Sequence, residues 1–410
     1  METDKHIPRK VNLNTSQTQI SDQPADGDSF QTGRVLTISA AHGVHDTYTA
    51  FLPSLLPIFI SNFALSKTKA GLLSVFLQLP SLFQPFIGYL ADSVSLRYLV
   101  IMAPTITATM MSLLGVAPSY ATLALFLMVA GISSAGLHAV GPVMAGRLSG
   151  QRLGRGMGFW MVGGEMGRTL GPIVIVSAVE LLTLRGVPGL MIAGLAMSVL
   201  LFFLLRDVEN GIQSETVGLP WRQVLRSMGP LLFPLIGVIV VRSFMVSALT
   251  TYLPTFLSEE GAGLFFAGAS LSMLEGAGVI GALLGGSLSD RLGRRAVLFA
   301  SMLTTPLMMF AFLLLDGWLQ IPLLMLMGLT ALSVGPVIMA LVQESAPENP
   351  ALANGVYMAL SFLIRAGAIA ALGGIGDIFN LRVAFTASAV ITLLGLPLVL
   401  ILPGRDRQRD

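Results

Sequence analysis

The chain has no cysteine among its 410 residues, which excludes disulfides, thiolate nucleophiles and cysteine-held metal centres. Charge is sparse as well: 11% of residues are Asp, Glu, Lys or Arg, against about 25% in soluble domains. Lysine occurs only at positions 5, 10, 67 and 69. None of these follows the glycine-rich run of a nucleotide-binding loop, which argues against a primary pump. No nucleophile elbow or dense ligand cluster marks an enzyme, and His42 with His45 supplies too few ligands for a metal centre. The reading is therefore of a non-enzyme without cofactor or metal. A net charge of +2 gives no footprint for nucleic acid.

What the chain does have is hydrocarbon. Hydrophobic residues make up 54% of it, mean hydropathy is +0.78, and a surface that apolar calls for a lipid bilayer as its solvent. Apolar segments of about 20 residues, the length that spans a bilayer, recur twelve times. The expected class is an all-α integral membrane protein. Residues 1–33 are polar and lack the apolar core of a cleaved signal peptide, so they read as a disordered cytoplasmic tail. The longest polar interruption divides the spans six and six. This gives an N-terminal bundle over 34–205, a linker over 206–228, a C-terminal bundle over 229–403 and a short tail over 404–410.

The two halves repeat one another. Phe51-Leu52-Pro53 returns as Tyr252-Leu253-Pro254, and Gly141-Pro142-Val143 as Gly335-Pro336-Val337. Gly88, Asp92 and Arg97 return as Gly286, Asp290 and Arg295 at a constant offset of 198. Gly158 and Arg168 match Gly355 and Arg365, each pair ten residues apart. With an even number of spans both termini share a side. That side collects seventeen basic residues against four (Lys67, Lys69, Arg185 and Arg382) on the other, which places both termini in the cytoplasm.

One loop is specific enough to suggest a family. After the eighth span comes Gly286-Ser-Leu-Ser-Asp290-Arg291-Leu-Gly293-Arg294-Arg295. Its glycines permit a tight turn, its aspartate can cap a helix, and its arginines hold an anionic leaflet. The string resembles the signature loop of the major facilitator superfamily, and the resemblance covers residues 35 to 402. It implies the major facilitator fold of two pseudosymmetric six-helix bundles, a working monomer, and a gating role for Asp290 and Asp92 against the opposite bundle. The first copy, Gly88 through Arg97, departs from the pattern: it lacks the arginine after Asp92 and the second glycine. A narrower likeness rests on Ala41-His42-Gly43-Val44-His45-Asp46-Thr47-Tyr48, together with Gly136-Leu137-His138. It is similar to the fosmidomycin-resistance group of efflux proteins, which implies the bacterial inner membrane.

Ionisable residues within spans cost about 2.5–3.5 kcal/mol each on insertion scales and survive where they face water or one another. His42, His45 and Asp46 share a face of the first span at i, i+3 and i+4. Glu165 and Arg168 share a face of the fifth, and Arg242, Glu275, Arg365 and His138 lie in the seventh, eighth, eleventh and fourth. The facilitator resemblance puts all of these on cavity-lining helices. The expected proton-coupling set is Asp46, His42, His45, Glu165 and Glu275. The expected substrate set is Arg168, Arg365, Arg242, His138 and Tyr48, with Gly88, Asp92, Arg97, Gly286, Asp290, Arg291, Gly293 and Arg294 in gating loops. Blander roles stand beside these. His138 serves equally as a packing residue, Glu165 with Arg168 as a static pair, Glu275 as a structural partner of Arg242, and Arg242 as an interfacial residue. Gly163, Gly167 and Gly171 ahead of Pro172 form a small-residue strip. That strip fits either close packing or the helix-5 motif of facilitator antiporters. The functional expectation is proton-coupled export of a small anionic or amphiphilic solute, the arginines gripping the anion and Asp46 carrying the proton. Uptake of an organic anion by symport is the alternative, and a transporter-like receptor the third.

Overall fold

The computed structural model describes residues 30–84, 86–87, 96–206, 221–345 and 350–402, and among these no strand occurs. The N-terminal half comprises α1 (Thr32–Thr49), α2 (Leu52–Phe63), α3 (Lys67–Gln78), α4 (Arg97–Leu113), α5 (Tyr120–Leu148), α6 (Leu153–Gly186) and α7 (Met191–Leu205). The second half opens with α8 (Trp221–Ser247), α9 (Leu253–Glu259), α10 (Leu264–Leu292), α11 (Arg294–Leu314) and α12 (Gln320–Leu332). It continues through α13 (Val334–Ser345), α14 (Pro350–Ile378), α15 (Leu381–Leu394) and α16 (Leu396–Ile401).

Nine helical stretches among the described residues have the length and hydropathy to cross a bilayer. One of them, Gly154–Leu205, is 52 residues long and is broken at Thr183, whose φ of 60° leaves the helical region. The first spans are cut into shorter pieces, so the twelve expected segments do not appear as twelve uninterrupted rods. The cuts have a covalent cause. Pro53 has no N–H to give the Thr49 carbonyl, and α1 ends there. In the second half Pro254 stands in the same relation to Thr250, and a π-helical turn over Ala248–Tyr252 precedes α9. The repeated Phe-Leu-Pro and Tyr-Leu-Pro strings thus break the first helix of each half at matching points.

Two boundaries differ from expectation. α1 begins at Thr32 rather than at 34, and α8 begins at Trp221, inside the segment read as a linker to 228. The sequence there spaces Trp221, Val224, Leu225 and Met228 at i, i+3, i+4 and i+7. That is an amphipathic helix pattern which a hydropathy window averages away against Arg222 and Arg226. Residues 1–29 of the expected N-terminal tail, residue 403 with the expected tail at 404–410, the linker residues 207–220, and the gate residues Gly88 and Asp92 lie outside the described residues.

Each half packs around its own buried apolar clusters. The closest helix pair in the first half is α1 with α6, and glycine is the reason. A Cβ on Gly163 would strike the Ser39 carbonyl, one on Gly167 the Gly43 carbonyl, and one on Gly171 the Thr47 carbonyl, while Gly43 in turn faces the Gly163 carbonyl. The strip is a contact surface for α1, seating backbone on backbone where side chains would hold the helices apart. Gly167→Ala should therefore cost about 1–3 kcal/mol by overpacking. In detergent its thermal unfolding midpoint is expected to fall. Gly158→Ala, whose added Cβ meets open space, should leave the midpoint in place.

The halves meet through α6 with α10 and α3 with α14. Midway, Ile173 donates its N–H to Ser272 Oγ at 3.1 Å beside Pro172. At the end of the bundle away from the arginine-rich loops the contact is denser. The Asp377 carboxylate at the end of α14 accepts the backbone N–H groups of Lys67 (2.6 Å) and Thr68 (3.0 Å) and the Thr68 hydroxyl (2.7 Å). It thereby caps the N-terminus of α3, a helix of the other half. Lys67 Nζ pairs with Glu259 at 3.0 Å. The Tyr252 hydroxyl lies 3.3 Å from the Lys67 carbonyl and 2.8 Å from that of Ile369.

Candidate functional site

A cavity of about 330 Å³ lies between the halves. Asp46, His138 and Arg168 reach it from the N-terminal half, and Glu275, Arg365 and Thr250 from the C-terminal half. Its wall follows α3 and the turn after it through Ser74, Gln78, Ser81 and Gln84, away from the Asp377 cap.

Beside this cavity, α1 and α5 build a compact cluster. His42 Nδ1 lies 2.9 Å from the Trp160 carbonyl and His138 Nδ1 lies 2.9 Å from the Ser134 carbonyl. A carbonyl only accepts, so each Nδ1 carries a hydrogen, and in the neutral imidazole each Nε2 is then a bare lone pair. Those two nitrogens stand 3.2 Å apart. Asp46 turns Oδ2 to His42 at 3.4 Å and Oδ1 to His138 at 3.6 Å. Three acceptors facing one another without a donor is an arrangement that closes only around a cation. His42 is clamped further by stacking on the Trp160 indole, ring centroids 3.9 Å apart. His45 sits behind Asp46, fully buried, with Nε2 4.0 Å from Oδ1.

The cavity's second set of charges is split between the halves. Arg168 and Glu165 form the i, i+3 ion pair of α6. Across the cavity, Arg365 donates to Thr250 Oγ1 at 2.9 Å, and its buried Nε has no hydrogen-bond partner among the described residues. Glu275 on α10 is within electrostatic reach of both Arg168 and Arg365. Two guanidinium groups, one from each half, face the cavity with Glu165 and Glu275 as their counter-charges, and the fork geometry of arginine suits a carboxylate, phosphonate or phosphate.

Not every expected residue comes here. The Tyr48 hydroxyl donates to the Leu190 carbonyl, and its ring lines a separate apolar recess with Val44, Phe51, Val174 and Leu190. Arg242 donates to the Ala331 carbonyl at 3.3 Å and borders a small pocket with Ser301, Thr305 and Thr392. It lies outside the central cavity, and no ion pair joins it to Glu275 among the described residues. In the loop after α10, Gly293 holds φ +95°, a conformation glycine adopts without penalty, and so turns the chain into α11. Asp290 pairs with Arg294 at 2.5 Å, and Arg294 with Glu344 at 2.9 Å, all within the second half. Gly286 has open space around it, Arg291 lies in the last turn of α10, and Arg97 donates to the Arg206 carbonyl at 2.5 Å. Trp160, Ser134 and Thr250 were not among the expected residues. Their roles rest on backbone carbonyls and on contacts between distant helices, which leave no spacing signal.

The chain and its fold have counterparts among known proteins. The family model for the Major Facilitator Superfamily matches residues 38–369 and 279–410. The chain is 25% identical to the fosmidomycin resistance protein of Escherichia coli, covering 95% of this chain and 98% of that protein. It is 26% identical to an uncharacterized MFS-type transporter, YfnC, of Bacillus subtilis, over 92% and 94% of the two chains. Among solved structures, a bacterial homolog of the human lysosomal transporter Spinster, inward-facing and unoccupied, superposes with a TM-score of 0.79 at 14% identity, covering 91% of this chain and 97% of that one. The nucleoside transporter NupG gives 0.68 at 14% identity, over 90% and 98%.

Proposed function

The chain belongs to the major facilitator superfamily, and from that premise we propose that it exports a small anionic or amphiphilic compound in exchange for protons. Membership makes it a multi-pass membrane transporter and not an enzyme. The observation that carries the finer reading is the juxtaposition in one cavity of a cation-demanding cluster, Asp46 with His42 and His138, and a split pair of arginines. A proton on one Nε2 turns that nitrogen into a donor toward Asp46 or the other imidazole, so the cluster loads one proton and releases it. Arg168 and Arg365 receive the anion, one from each half, so rocking of the halves brings them together or parts them. Proton and solute then compete through a shared field, which is antiport.

We read the transport as export. Among the described residues the Asp377 end joins the halves by hydrogen bonds and an ion pair, and the positive charge of the opposite end favours the cytoplasmic face of a bacterial inner membrane, the side from which an exported solute loads. Both termini lie on that side, and the working unit is a monomer. The likeness to a fosmidomycin resistance protein makes phosphonates the first substrates to test.

The test is flux in proteoliposomes with a lumenal pH dye and a panel of phosphonates and organic anions, beginning with fosmidomycin. Wild-type protein should move protons when substrate is added, in the opposite direction to the substrate. Arg365→Ala should raise KM by roughly 10- to 100-fold, the loss of one charge-assisted contact of about 1.5–3 kcal/mol. Proton and substrate moving together would convert the reading to symport, and binding without flux would overturn transport altogether.

A further inference from the structure

The fixed tautomers of His42 and His138 have a second consequence. A metal-ligating imidazole characteristically donates its other ring N–H to a carbonyl or carboxylate, which orients the ring and raises the basicity of the ligating nitrogen. Both imidazoles here do so, to the Trp160 and Ser134 carbonyls, each at 2.9 Å. Their Nε2 atoms are 3.2 Å apart, and Asp46 oxygens lie 3.4 and 3.6 Å from them. A tetrahedral zinc ion with bonds of about 2.0–2.1 Å keeps its ligand atoms roughly 3.3 Å from one another. One nitrogen from each imidazole and one Asp46 oxygen all fall within 4.8 Å of one another. The 3.2 Å between the two nitrogens matches one edge of a metal tetrahedron, and the carboxylate, which turns a different oxygen to each imidazole, supplies the third donor to the same space.

We propose that His42, His138 and Asp46 form a binding site for one divalent transition-metal ion of zinc's class, its fourth position open to the central cavity. The donor set, two imidazole nitrogens and a carboxylate, suits a borderline ion rather than magnesium or calcium, which take oxygen donors in larger number. Asp46 and His138 both line the cavity, so the ion enters by the substrate's route and the open corner takes water or an anionic group of the solute. The sequence pointed away from such a site because its third ligand arrives from α5, ninety-six residues beyond His42. An ion seated there fills the space the proton occupies. Inhibition of antiport is therefore a corollary that rests on the proton reading, whereas binding does not.

The experiment uses the untagged full-length protein in detergent, stripped with a chelator and titrated with Co²⁺. One equivalent should bind, with the visible absorption of four-coordinate cobalt and with quenching of emission from Trp160, which stacks on a ligand ring. Zn²⁺ should displace it. His138→Ala and Asp46→Asn should each weaken binding by tenfold or more, and His6→Ala should not. Asp46→Asn preserves side-chain shape and His138 is the least buried ligand, its side chain 33% exposed, so at least one variant should remain folded by thermal melt. Absence of saturable binding, or affinity that survives both ligand variants, overturns the site. If the metal binds as described while no proton-coupled flux is found, the metal site stands and the antiport reading falls.

Discussion

Asp46→Asn is expected to abolish substrate-driven proton movement, lowering it to the rate of protein-free liposomes, while counterflow of labelled for unlabelled substrate continues. The asparagine keeps the volume and one acceptor oxygen but removes the charge that makes the cluster hold a proton. The groups facing Asp46 are His42 and His45 from its own helix, His138 from α5 and Arg168 from α6. Only a carboxylate balances them, and in Asp46→Asn a proton on either imidazole loses its adjacent counter-charge, since Glu165 is held by Arg168. Coupling therefore fails while the arginines still recognise the solute. Lumenal pH and isotope exchange measured on the same vesicles separate the two activities. Proton movement that persists in the variant would transfer the carrier role to Glu165 or Glu275.

Asp377→Asn should open the opposite end of the bundle. The carboxylate takes three hydrogen bonds from the first turn of α3 and places a negative charge at a helix N-terminus. Losing the charge removes about 1–3 kcal/mol of attraction specific to the closed arrangement, a roughly 5- to 150-fold shift in the ratio of the two conformations. Because the chain has no native cysteine, spin labels on Asn62→Cys and Phe379→Cys, exposed positions of opposite halves at that end, report the distance without background. A longer and broader distance distribution in Asp377→Asn is expected. An unchanged one would mean that the Lys67–Glu259 pair and Tyr252 hold the end shut by themselves.

Much of this was legible in the sequence because bilayers impose crude rules. The all-α membrane class follows from hydropathy, and the repeated Phe-Leu-Pro and Tyr-Leu-Pro strings stand where a missing N–H interrupts a helix in each half. The charged residues of the cavity were legible because charge inside a bilayer has so few uses. What spacing misses is the far side of each contact. Tyr48 is near Asp46 in sequence, but two residues turn a helix by about 200°, and the ring faces the apolar recess instead. Arg242 looked like a partner for Glu275 on charge alone, yet its helix directs it toward Ala331. The spacing of the glycine strip of α6 does not name its partner, which is the backbone of α1. Asp377 drew no notice, since an acid at the end of a span is commonplace. Its significance depends on the amides of a helix some three hundred residues earlier.

The seam between α1 and α6 has a mechanical corollary. Gly163, Gly167 and Gly171 lock backbone to backbone, and helices so joined cannot slide or part without losing contact along their whole length. Asp46 rides on one member and Arg168 on the other, so the proposed proton carrier and the proposed anion ligand are expected to keep their separation through a transport cycle. Whatever changes as the transporter turns over must change across the gap to Glu275 and Arg365. The N-terminal half is in that sense the stator of the machine, and its partner, swinging past with one acid and one base, decides which cargo the stator holds.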